Sequence, residues 1–382
     1  MRRLLFATLL LAFAACGQKN DAEQETVSDV KVGFIFLHDE NSTYDKNFMD
    51  AARAAEEALG LKPEQVIFKT NIPEGNECYE AAADLADQGC DIVFANSFGH
   101  ESFLLASAKK HPEVQFCHAT GTMAHTANLK NFHNAFASIY EGRYMAGVAA
   151  GLKLNEMIEN GTITAEEAVI GYVAAFYFEE VISGFSAFYL GARSVCPSAT
   201  MITLKADSWS DPVKEGQIAQ SLIDQGAVLI SQHSDNPSPA TTAEAAGLFH
   251  CGYNSDMAEA APAASIISAR ADWSIYLTYA VECVLNGEEI ATDWCEGFNE
   301  GANFTSPLNE AVAAPGTQEK LDEVAAGLKD GSVHVFAGPW SGYYVWDQTP
   351  FTCAEGEWVE ESETQSAPYF GYIIDGITRL DA

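Results

Sequence analysis

Short apolar segments alternate with amphipathic segments along most of the chain. In the first half, apolar runs that suit strands occupy residues 32–37, 65–70, 91–96, 114–119 and 135–139. The segments between them carry apolar side chains every three or four residues, which predicts helices over 45–59, 77–88 and 99–110. Strands that alternate with helices are typical of a parallel sheet, so this half predicts one α/β lobe.

The second half repeats the same alternation. Strands are predicted at 169–176, 200–206, 227–232 and 247–253, and helices at 179–191, 212–225 and 238–246. Residues 260–287 then form a strand and a long helix that return to one of the lobes. Because two series of similar size follow each other, we predict an α/β fold class with two doubly wound lobes, each built on a parallel sheet.

The predicted domain organisation has four parts. About 350 residues follow the N-terminal segments, more than a single small core usually holds. The predicted divisions are a lipoprotein signal peptide at 1–16, a flexible tether at 17–30, an N-terminal lobe at 31–145 plus about 270–300, and a C-terminal lobe at 146–269 plus about 301–382.

The N-terminus has the pattern of an export signal. Two arginines precede an apolar stretch from Leu4 to Phe13, which is shorter than the roughly 20 residues of a membrane-spanning helix. The ending "FAAC" resembles a bacterial lipobox, with Phe13 where a leucine is usual, and this predicts lipidation at Cys16. An ordinary cleaved signal with an incidental cysteine is the alternative. We therefore expect an exported protein in the periplasm or at the cell surface, lipid-anchored to the bacterial membrane.

Charge and cysteine content narrow the classes of partner. The chain has 20 basic and 54 acidic residues and a formal net charge of −34, which argues against binding nucleic acid or a polyanionic ligand. After Cys16 eight cysteines remain, and they either form disulfides, for which 105 pairings exist, or are buried free thiols. No CxxC or CxxH spacing occurs, so a zinc site is not expected. We expect neither a metal nor a cofactor.

Ligands of open parallel sheets bind beyond the carboxyl ends of the strands. In this sequence, those ends are residues 38–44, 96–101, 118–122, 175–180, 207–211, 232–238 and 253–257. Together these segments are rich in aromatic residues, Asn, Ser and Asp, which suit stacking on a neutral polar ring and hydrogen bonding to it.

Enzyme motifs and metal-binding loops do not occur at these strand ends. No G-x-S-x-G follows a strand, and neither a Walker motif nor a dinucleotide-binding G-x-G-x-x-G is present. The segment "DENSTYD" has the acids of a calcium loop but not its central glycine or terminal glutamate. Four histidines lie at strand ends without metal-ligand spacing, so we interpret them as polar lining and expect no enzymatic activity.

Several sequence blocks carry a family resemblance from Val32 to the C-terminus: "DENSTYDKNFMDAA", "DIVFANSFGHE", "YEGRYMAGVAAG", "WSDPVKEGQIAQSLIDQGA", "GYNSDM" and "VFAGPW". The chain resembles the basic membrane protein (BMP) family of ABC-transporter substrate-binding lipoproteins, which includes purine-nucleoside receptors. The resemblance implies a type I periplasmic binding protein fold, in which two Rossmann-like lobes with parallel sheets are joined by a hinge and close on a ligand. It also implies a monomer that hands this ligand to an ABC permease.

The resemblance also implies ligand-binding positions. Receptors of the family stack a purine between two aromatic rings, which match Phe48 and Trp209, and Phe48 has core packing as its alternative interpretation. An acidic contact of the family matches Asp39. The chain departs from the family at three of the positions that we include, namely Tyr44, Asn254 in place of an Asp, and Trp273 where a Lys is absent. The remaining predicted ligand-binding residues are Asn41, Asn96, Ser97, Phe98, Thr120, Phe176, Asp235 and Asp256.

These observations predict a function. We expect an extracytoplasmic solute-binding lipoprotein of an ABC importer that captures a nucleoside, nucleobase or related ring compound in a cleft between the lobes. The alternatives are a sensor lipoprotein that binds the same ligand and signals to a partner, and an exported enzyme that acts on nucleosides.

Overall fold

The computed structural model of the protein describes residues 29–361, 365–366 and 368–380. The predicted signal peptide, Cys16 and residues 17–28 of the predicted tether lie outside the described residues. Within the described part, no helix is both long enough and apolar enough to cross a membrane. The eight cysteines in this part are free thiols, seven of them buried and Cys295 partly exposed.

The first series of elements forms a parallel sheet. Its strands are β1 (Val32–Ile35), β2 (Val66–Lys69), β3 (Ile92–Ala95), β4 (Gln115–Ala119) and β5 (Phe132–Phe136). Its helices are α1 (Thr43–Ala58), α2 (Asn76–Asp87), α3 (Glu101–Ala108) and the short α4 (Ala124–Ala127). The strands lie in the order β5-β4-β3-β1-β2, with every neighbouring pair parallel.

The second series forms another parallel sheet. It begins with α5 (Tyr140–Glu159), and its strands are β6 (Val169–Ala174), β7 (Thr200–Lys205), β8 (Leu229–His233), β9 (Phe249–Tyr253) and β10 (Ser265–Ala271). Helices α6 (Glu179–Val195), α7 (Pro212–Asp224) and α8 (Ser238–Ala245) connect them. These strands lie in the order β10-β9-β8-β6-β7.

The rest of the chain completes both sheets and adds a third. Its elements are α9 (Ser274–Asn286), β11 (Asp293–Cys295), β12 (Asn303–Thr305), α10 (Thr317–Asp330), β13 (Trp340–Tyr344), β14 (Pro350–Cys353), β15 (Tyr372–Ile374) and β16 (Ile377–Arg379). Strand β11 joins β5 in parallel, β12 joins β10 antiparallel, and β16 joins β7 in parallel. Strands β13, β14 and β15 form a separate antiparallel sheet.

The two main sheets define two lobes. The first lobe contains the six-stranded sheet with α1–α4 and α9, and the second contains the seven-stranded sheet with α5–α8. The chain passes between the lobes after β5, after β10 and after β11. The predicted α/β fold class is confirmed. The predicted division after residue 145 falls inside α5, whose main packing partner is α6 of the second lobe.

Glycines allow α5 and α6 to pack closely. A Cβ atom at Gly147 would collide with the carbonyl oxygen of Phe188, and one at Gly191 with that of Tyr144. The backbones therefore touch where side chains would hold ordinary helices about 8–10 Å apart. This close contact fixes the C-terminal half of α6 against α5 within the second lobe.

Candidate functional site

A cavity lies between the carboxyl ends of the strands of the two lobes. It contains about 370 Å³ of atom-free space, part of which opens to solvent. Its lining residues are Leu37, Tyr44, Asp45, Asn96, Ser97, Phe98, Thr120, Glu180, Trp209, His233, Asp235 and Tyr253. The location agrees with the rule for open parallel sheets.

Helix α1 brings Asp45 into the first-lobe side of the cavity. Ser42 caps the helix, since its hydroxyl accepts a hydrogen bond from the Asp45 backbone N–H at 3.2 Å. The Asp45 carboxylate also accepts a bond from the Asn96 side-chain amide at 2.9 Å, and His38 Nδ1 lies 3.3 Å from its other oxygen. An acid in the first turn is also favoured by the helix dipole, so local sequence and tertiary contacts both fix this carboxylate.

Tyr44 precedes Asp45 and lies across the same side. Its hydroxyl donates a hydrogen bond to the backbone carbonyl of Asn96 at 2.7 Å. Burial, followed by the nearby Glu180 carboxyl, raises the pKa of Tyr44 well above its usual value, so the phenol remains neutral. Tyr44 therefore presents a fixed, uncharged ring to the cavity.

The second lobe contributes two buried carboxyl groups. Asp235 accepts a hydrogen bond from the Asn254 side-chain amide at 3.0 Å, and Glu180 lies 3.6 Å from His233 Nε2. Burial raises the pKa of Glu180 to about 7, although the positive charge of Arg143 acts in the opposite direction. Burial, and then the negative charge of Asp45, raises the pKa of Asp235 well above its usual value. Both groups therefore bind protons more tightly than exposed carboxylates do.

Arg143 is the buried cation of this region. Its guanidinium donates to the carbonyl of Gln232 at 2.7 Å and lies 3.5 Å from the ring centroid of Tyr253. Burial and the charge of Arg143 together lower the pKa of His233 well below its usual value, which makes this imidazole neutral. Tyr253 lines the cavity and Arg143 does not, so the guanidinium packs on a ring that belongs to the lining. Its Nε and Nη2 atoms have no hydrogen-bond partner among the described residues.

Aromatic rings form the remaining side. Trp209 packs edge-on against Phe176 with 4.8 Å between ring centroids, and Phe176 stacks on Phe178 at 5.0 Å. Phe178 in turn stacks on Phe98 of the first lobe at 5.3 Å. The aromatic cluster thus spans both lobes beside the polar groups.

Glu74 joins the lobes at the same place. One of its carboxylate oxygens accepts bonds from the Ser97 hydroxyl at 2.6 Å and from the Gly99 backbone N–H at 2.8 Å, both in the first lobe. The same oxygen accepts a bond from the indole N–H of Trp209 at 3.2 Å, which crosses to the second lobe. The backbone N–H of Thr43 also reaches the carbonyl of Asp235 at 2.8 Å, so the lobes are in contact around the cavity.

The structure brings half of the predicted ligand-binding residues together. The predicted residues that line the cavity are Tyr44, Asn96, Ser97, Phe98, Thr120, Trp209 and Asp235. Two others touch this lining from behind: Phe176 packs on Trp209, and Asn254 bonds to Asp235.

Phe48 and Trp273 lie in the core of the first lobe and not in the cavity. Their rings stack on each other with centroids 4.9 Å apart, and Phe48 is 1% exposed. Phe48 belongs to the buried face of α1 with Ala51 and Ala52, which is the core-packing alternative for this residue. The resemblance implies that the ring of Phe48 faces the ligand. In the structure the α1 ring that faces the cavity is that of Tyr44, one helical turn earlier.

Three predicted polar residues have local structural contacts. Asp39 lies on an exposed turn and accepts bonds from the backbone and side chain of Asn41, which lower the pKa of Asp39. The Asp256 side chain accepts a bond from the backbone N–H of Ala258 and caps the short 3₁₀ helix that begins at Met257. None of these contacts involves the cavity lining.

Five lining residues were not singled out as ligand contacts from the sequence: Leu37, Asp45, Glu180, His233 and Tyr253. Glu180, His233 and Tyr253 lie within the strand-end segments that the sequence identifies, and Asp45 directly follows another such segment. The strand-end rule could therefore have found them as a group. It could not show which side chains of each segment point inward.

No group of three or more acidic, His or Cys side chains in the described part of the chain is arranged to hold a metal ion. The cavity combines stacking rings with hydrogen-bonding groups, an arrangement suited to binding a small polar molecule.

Comparison with known proteins identifies the family. The model of the family described as "Bmp: ABC transporter substrate-binding protein PnrA-like" matches residues 35–311. The chain belongs to the Bmp family. It is thus an ABC transporter substrate-binding protein, and such proteins work outside the cytoplasm with an ABC permease.

Two relatives resemble the Bmp chain over long segments. A purine-binding protein of Brucella abortus (strain 2308) is 33% identical over 314 residues, covering 81% of this chain and 84% of that protein. A putative ABC transporter glucose-binding protein of Haloferax volcanii is 34% identical over 236 residues, covering 62% of this chain and 56% of that protein.

Solved structures support the fold of this Bmp protein. A solute-binding protein of an ABC transporter system from Aeropyrum pernix K1 superposes with a TM-score of 0.67 at 17% identity, covering 81% of this chain and 94% of that one. One from Conexibacter woesei DSM 14684 gives a TM-score of 0.64 at 18% identity, covering 80% and 98%. The predicted periplasmic binding protein fold and BMP membership are confirmed.

Proposed function

We propose that this protein captures a purine nucleoside or purine base in the cavity between its lobes and delivers it to an ABC permease. The observation that carries the proposal is a single cavity that combines the aromatic rings of Tyr44 and Trp209 with the buried polar groups of Asp45, Asn96 and Asp235. A planar, nitrogen-rich ring needs both kinds of contact. The purine-binding protein of Brucella abortus, similar over most of its length, supports the same ligand class.

Lobe closure gives the binding mechanism. In an open form the strand ends of each lobe are accessible, and the ligand stacks first on one of the rings. Closure then forms the bonds between Trp209 and Glu74 and between Thr43 and Asp235, and removes water from the carboxyl groups. Because hydrogen bonds strengthen in a water-poor cavity, the closed complex holds the ligand until the permease opens it.

A sugar is the second candidate ligand. The observation in its favour is the similarity to the putative glucose-binding protein of Haloferax volcanii. Carboxylates that accept from hydroxyl groups and rings that pack on the apolar face of a sugar occur in this cavity as well.

The decisive experiment is mass spectrometry of small molecules released from freshly purified, denatured protein, followed by calorimetric titration with guanosine, inosine and D-glucose. We expect a purine nucleoside or base in the released material and nucleoside binding that W209L weakens. Release and binding of glucose alone would contradict the purine assignment in favour of the sugar. Failure of every purine nucleoside and base to bind would exclude it.

We also propose that Cys16 is lipidated and anchors the protein at the membrane. The apolar stretch that ends in "FAAC" supports this, with a polar segment directly after it. Fractionation of cells expressing the full chain tests it: wild-type protein is expected in the membrane fraction and C16S in the soluble fraction. Equal release of both forms would contradict the anchor.

A further inference from the structure

The hydrogen-bond donors of the cavity lining are largely committed to the protein itself. Asn96 donates its amide to Asp45, Tyr44 donates to the carbonyl of Asn96, and Ser97 and Trp209 both donate to Glu74. The hydroxyls of Thr120 and Tyr253 can donate or accept. The Nδ1 atom of His233 has no partner among the described residues, but it lies against Gly184 of α6. Few other side-chain donors remain for a ligand once the carboxyl groups are ionised.

The acceptors are in excess. Three carboxyl groups line the cavity, those of Asp45, Glu180 and Asp235, and each ionised carboxylate has about four lone-pair positions. The side-chain oxygen of Asn96, a residue 1% exposed, has no hydrogen-bond partner among the described residues. An unpartnered buried acceptor destabilises the protein, so a ligand that donates to it gains affinity.

A lysine or arginine does not occur among the described residues that line the cavity. Arg143 packs on the ring of Tyr253, and its guanidinium bonds to the carbonyl of Gln232. The cavity therefore lacks a direct partner for a carboxylate or phosphate, and it has several for N–H groups.

We propose that the ligand is a purine whose base carries an amino group next to a ring N–H, as guanine does, so that adjacent N–H donors meet the acceptors of Asp235, Asp45, Glu180 and Asn96. This inference rests on the proposed function and specifies its substrate class. Two neighbouring N–H groups match the two oxygens of one carboxylate, a paired arrangement that a base with a carbonyl in place of the amino group cannot form.

The protonation of the buried carboxyl groups is consistent with a ligand that donates hydrogen bonds. In the free protein, burial raises the pKa of Glu180 to about 7 and that of Asp235 well above its usual value. Donors from a ligand stabilise the ionised forms and lower both pKa values, so binding releases protons. The charged and titratable groups that face these carboxyls are Asp45, Tyr44, Arg143, Glu215, His233 and Tyr253, and His38 lies beside Asp45.

The test compares guanosine with inosine, which differs from guanosine only by the missing amino group, and with xanthosine, which has a carbonyl there. Calorimetric titration of wild-type protein is expected to show guanosine binding about tenfold or more tightly than inosine, because one bond to a charged acceptor is lost. Xanthosine is expected to bind more weakly still. Equal affinity for guanosine and inosine would overturn this inference while leaving the proposed function intact, whereas failure of every purine nucleoside and base to bind would remove the proposed function too.

The variant D235N replaces an acceptor oxygen with a donor amide of the same shape, and D224N on the exposed side of α7 is its control. We expect D235N to lose guanosine affinity more than inosine affinity, so that the ratio between them falls, and D224N to preserve the ratio. An unchanged ratio in a D235N protein that melts like wild type argues against Asp235 as an acceptor. If D235N does not fold, the nucleoside series on wild-type protein still decides.

Calorimetric titration with guanosine near pH 7 in two buffers measures the number of protons released on binding. Released protons make guanosine binding more exothermic in Tris, whose protonation releases more heat than that of phosphate. The affinity is expected to fall as pH is lowered through 7, because protonated Glu180 must give up its proton to accept from the ligand. Proton uptake on binding would contradict the proposal.

Discussion

At the scale of single residues, two aromatic side chains show what decides between packing and binding. Phe48 and Trp209 both match ring positions of the family, yet Phe48 is 1% exposed against Trp273 while Trp209 is partly exposed at the cavity. Phe48 follows the helical period of Ala51 and Ala52, which puts it on the buried face of α1. Trp209 lies in a loop without such a period, so its ring is free to face a ligand.

Leucine substitutions at the two positions should therefore affect different properties, namely stability at Phe48 and ligand affinity at Trp209. F48L should lower the free energy of unfolding by about 1–2 kcal/mol through poorer core packing and leave nucleoside affinity nearly unchanged. W209L should weaken affinity by about tenfold through lost stacking, with little change in melting temperature. Thermal melts and calorimetric titration of both variants check this. A strong loss of affinity with unchanged stability in F48L would instead support a ligand contact for Phe48.

The sequence predicts which segments of the chain form the site better than it predicts which side chains of those segments line the cavity. The ends of the strands were predictable because apolar runs stop where loops begin, and these segments contain Glu180, His233 and Tyr253. Which of them faces inward depends on loop conformation. Asn254, for example, adopts a positive φ of 64° that the sequence does not specify.

At the scale of elements, the loop that carries Glu74 controls how the lobes meet. The carboxylate is already held in the first lobe by Ser97 and Gly99, and only its bond to Trp209 depends on closure. A Cβ atom at Gly99 would collide with this carboxylate, so the glycine permits the close approach. The loop lies outside the predicted strand ends and resembles an ordinary connection in the sequence.

Removing the carboxylate should speed ligand release. E74A is expected to increase the dissociation rate of guanosine about fivefold by losing one inter-lobe hydrogen bond, with a nearly unchanged association rate. E74Q, which keeps an acceptor oxygen, should stay near wild type, and E64A on an exposed turn is a further control. Stopped-flow fluorescence of the tryptophans measures both rates. A selective fall in the association rate would show that Glu74 acts before closure.

Strand β5 illustrates where periodicity misleads. The sequence predicts a strand at 135–139, but the structure has it at Phe132–Phe136. Its polar residues His133 and Asn134 are buried because each has partners: His133 lies 2.9 Å from the side-chain oxygen of Gln115, and Asn134 accepts from the N–H of Ala124. A search for apolar runs passes over such a strand, since its burial depends on hydrogen bonds to other elements.

At the scale of the whole molecule, the net charge can be read completely from the sequence, whereas the sheet topology can be predicted only in part. The alternation of strands and helices was sufficient to predict two parallel-sheet lobes. The three-residue strands β11, β12 and β16 were not predictable, because each is defined by the strand it joins and not by its own composition. The net charge of −34 was readable directly, and it has a consequence for stability.

Salt should stabilise the protein without changing capture of a neutral ligand. Screening of repulsion among the 54 acidic residues is expected to raise the melting temperature by several degrees between about 20 mM and about 500 mM NaCl. The affinity for a nucleoside should change by less than about twofold, since the ligand is neutral. Melting curves and titrations at both salt concentrations test this, and a melting temperature that falls with salt would contradict it.

The pairing of β16 with β7 has a consequence for how the protein is made. Residues 377–379 complete a sheet whose neighbouring strand ends at Lys205, and β11 likewise completes the first sheet from a position far along the chain. The first sheet is complete only once β11 has been synthesised, and the second only once β16 has, so each sheet waits for a strand far along the chain from its neighbour. Until then, the edges of β5 and β7 are open to mispairing with other chains, which makes β11 and β16 a safeguard against aggregation.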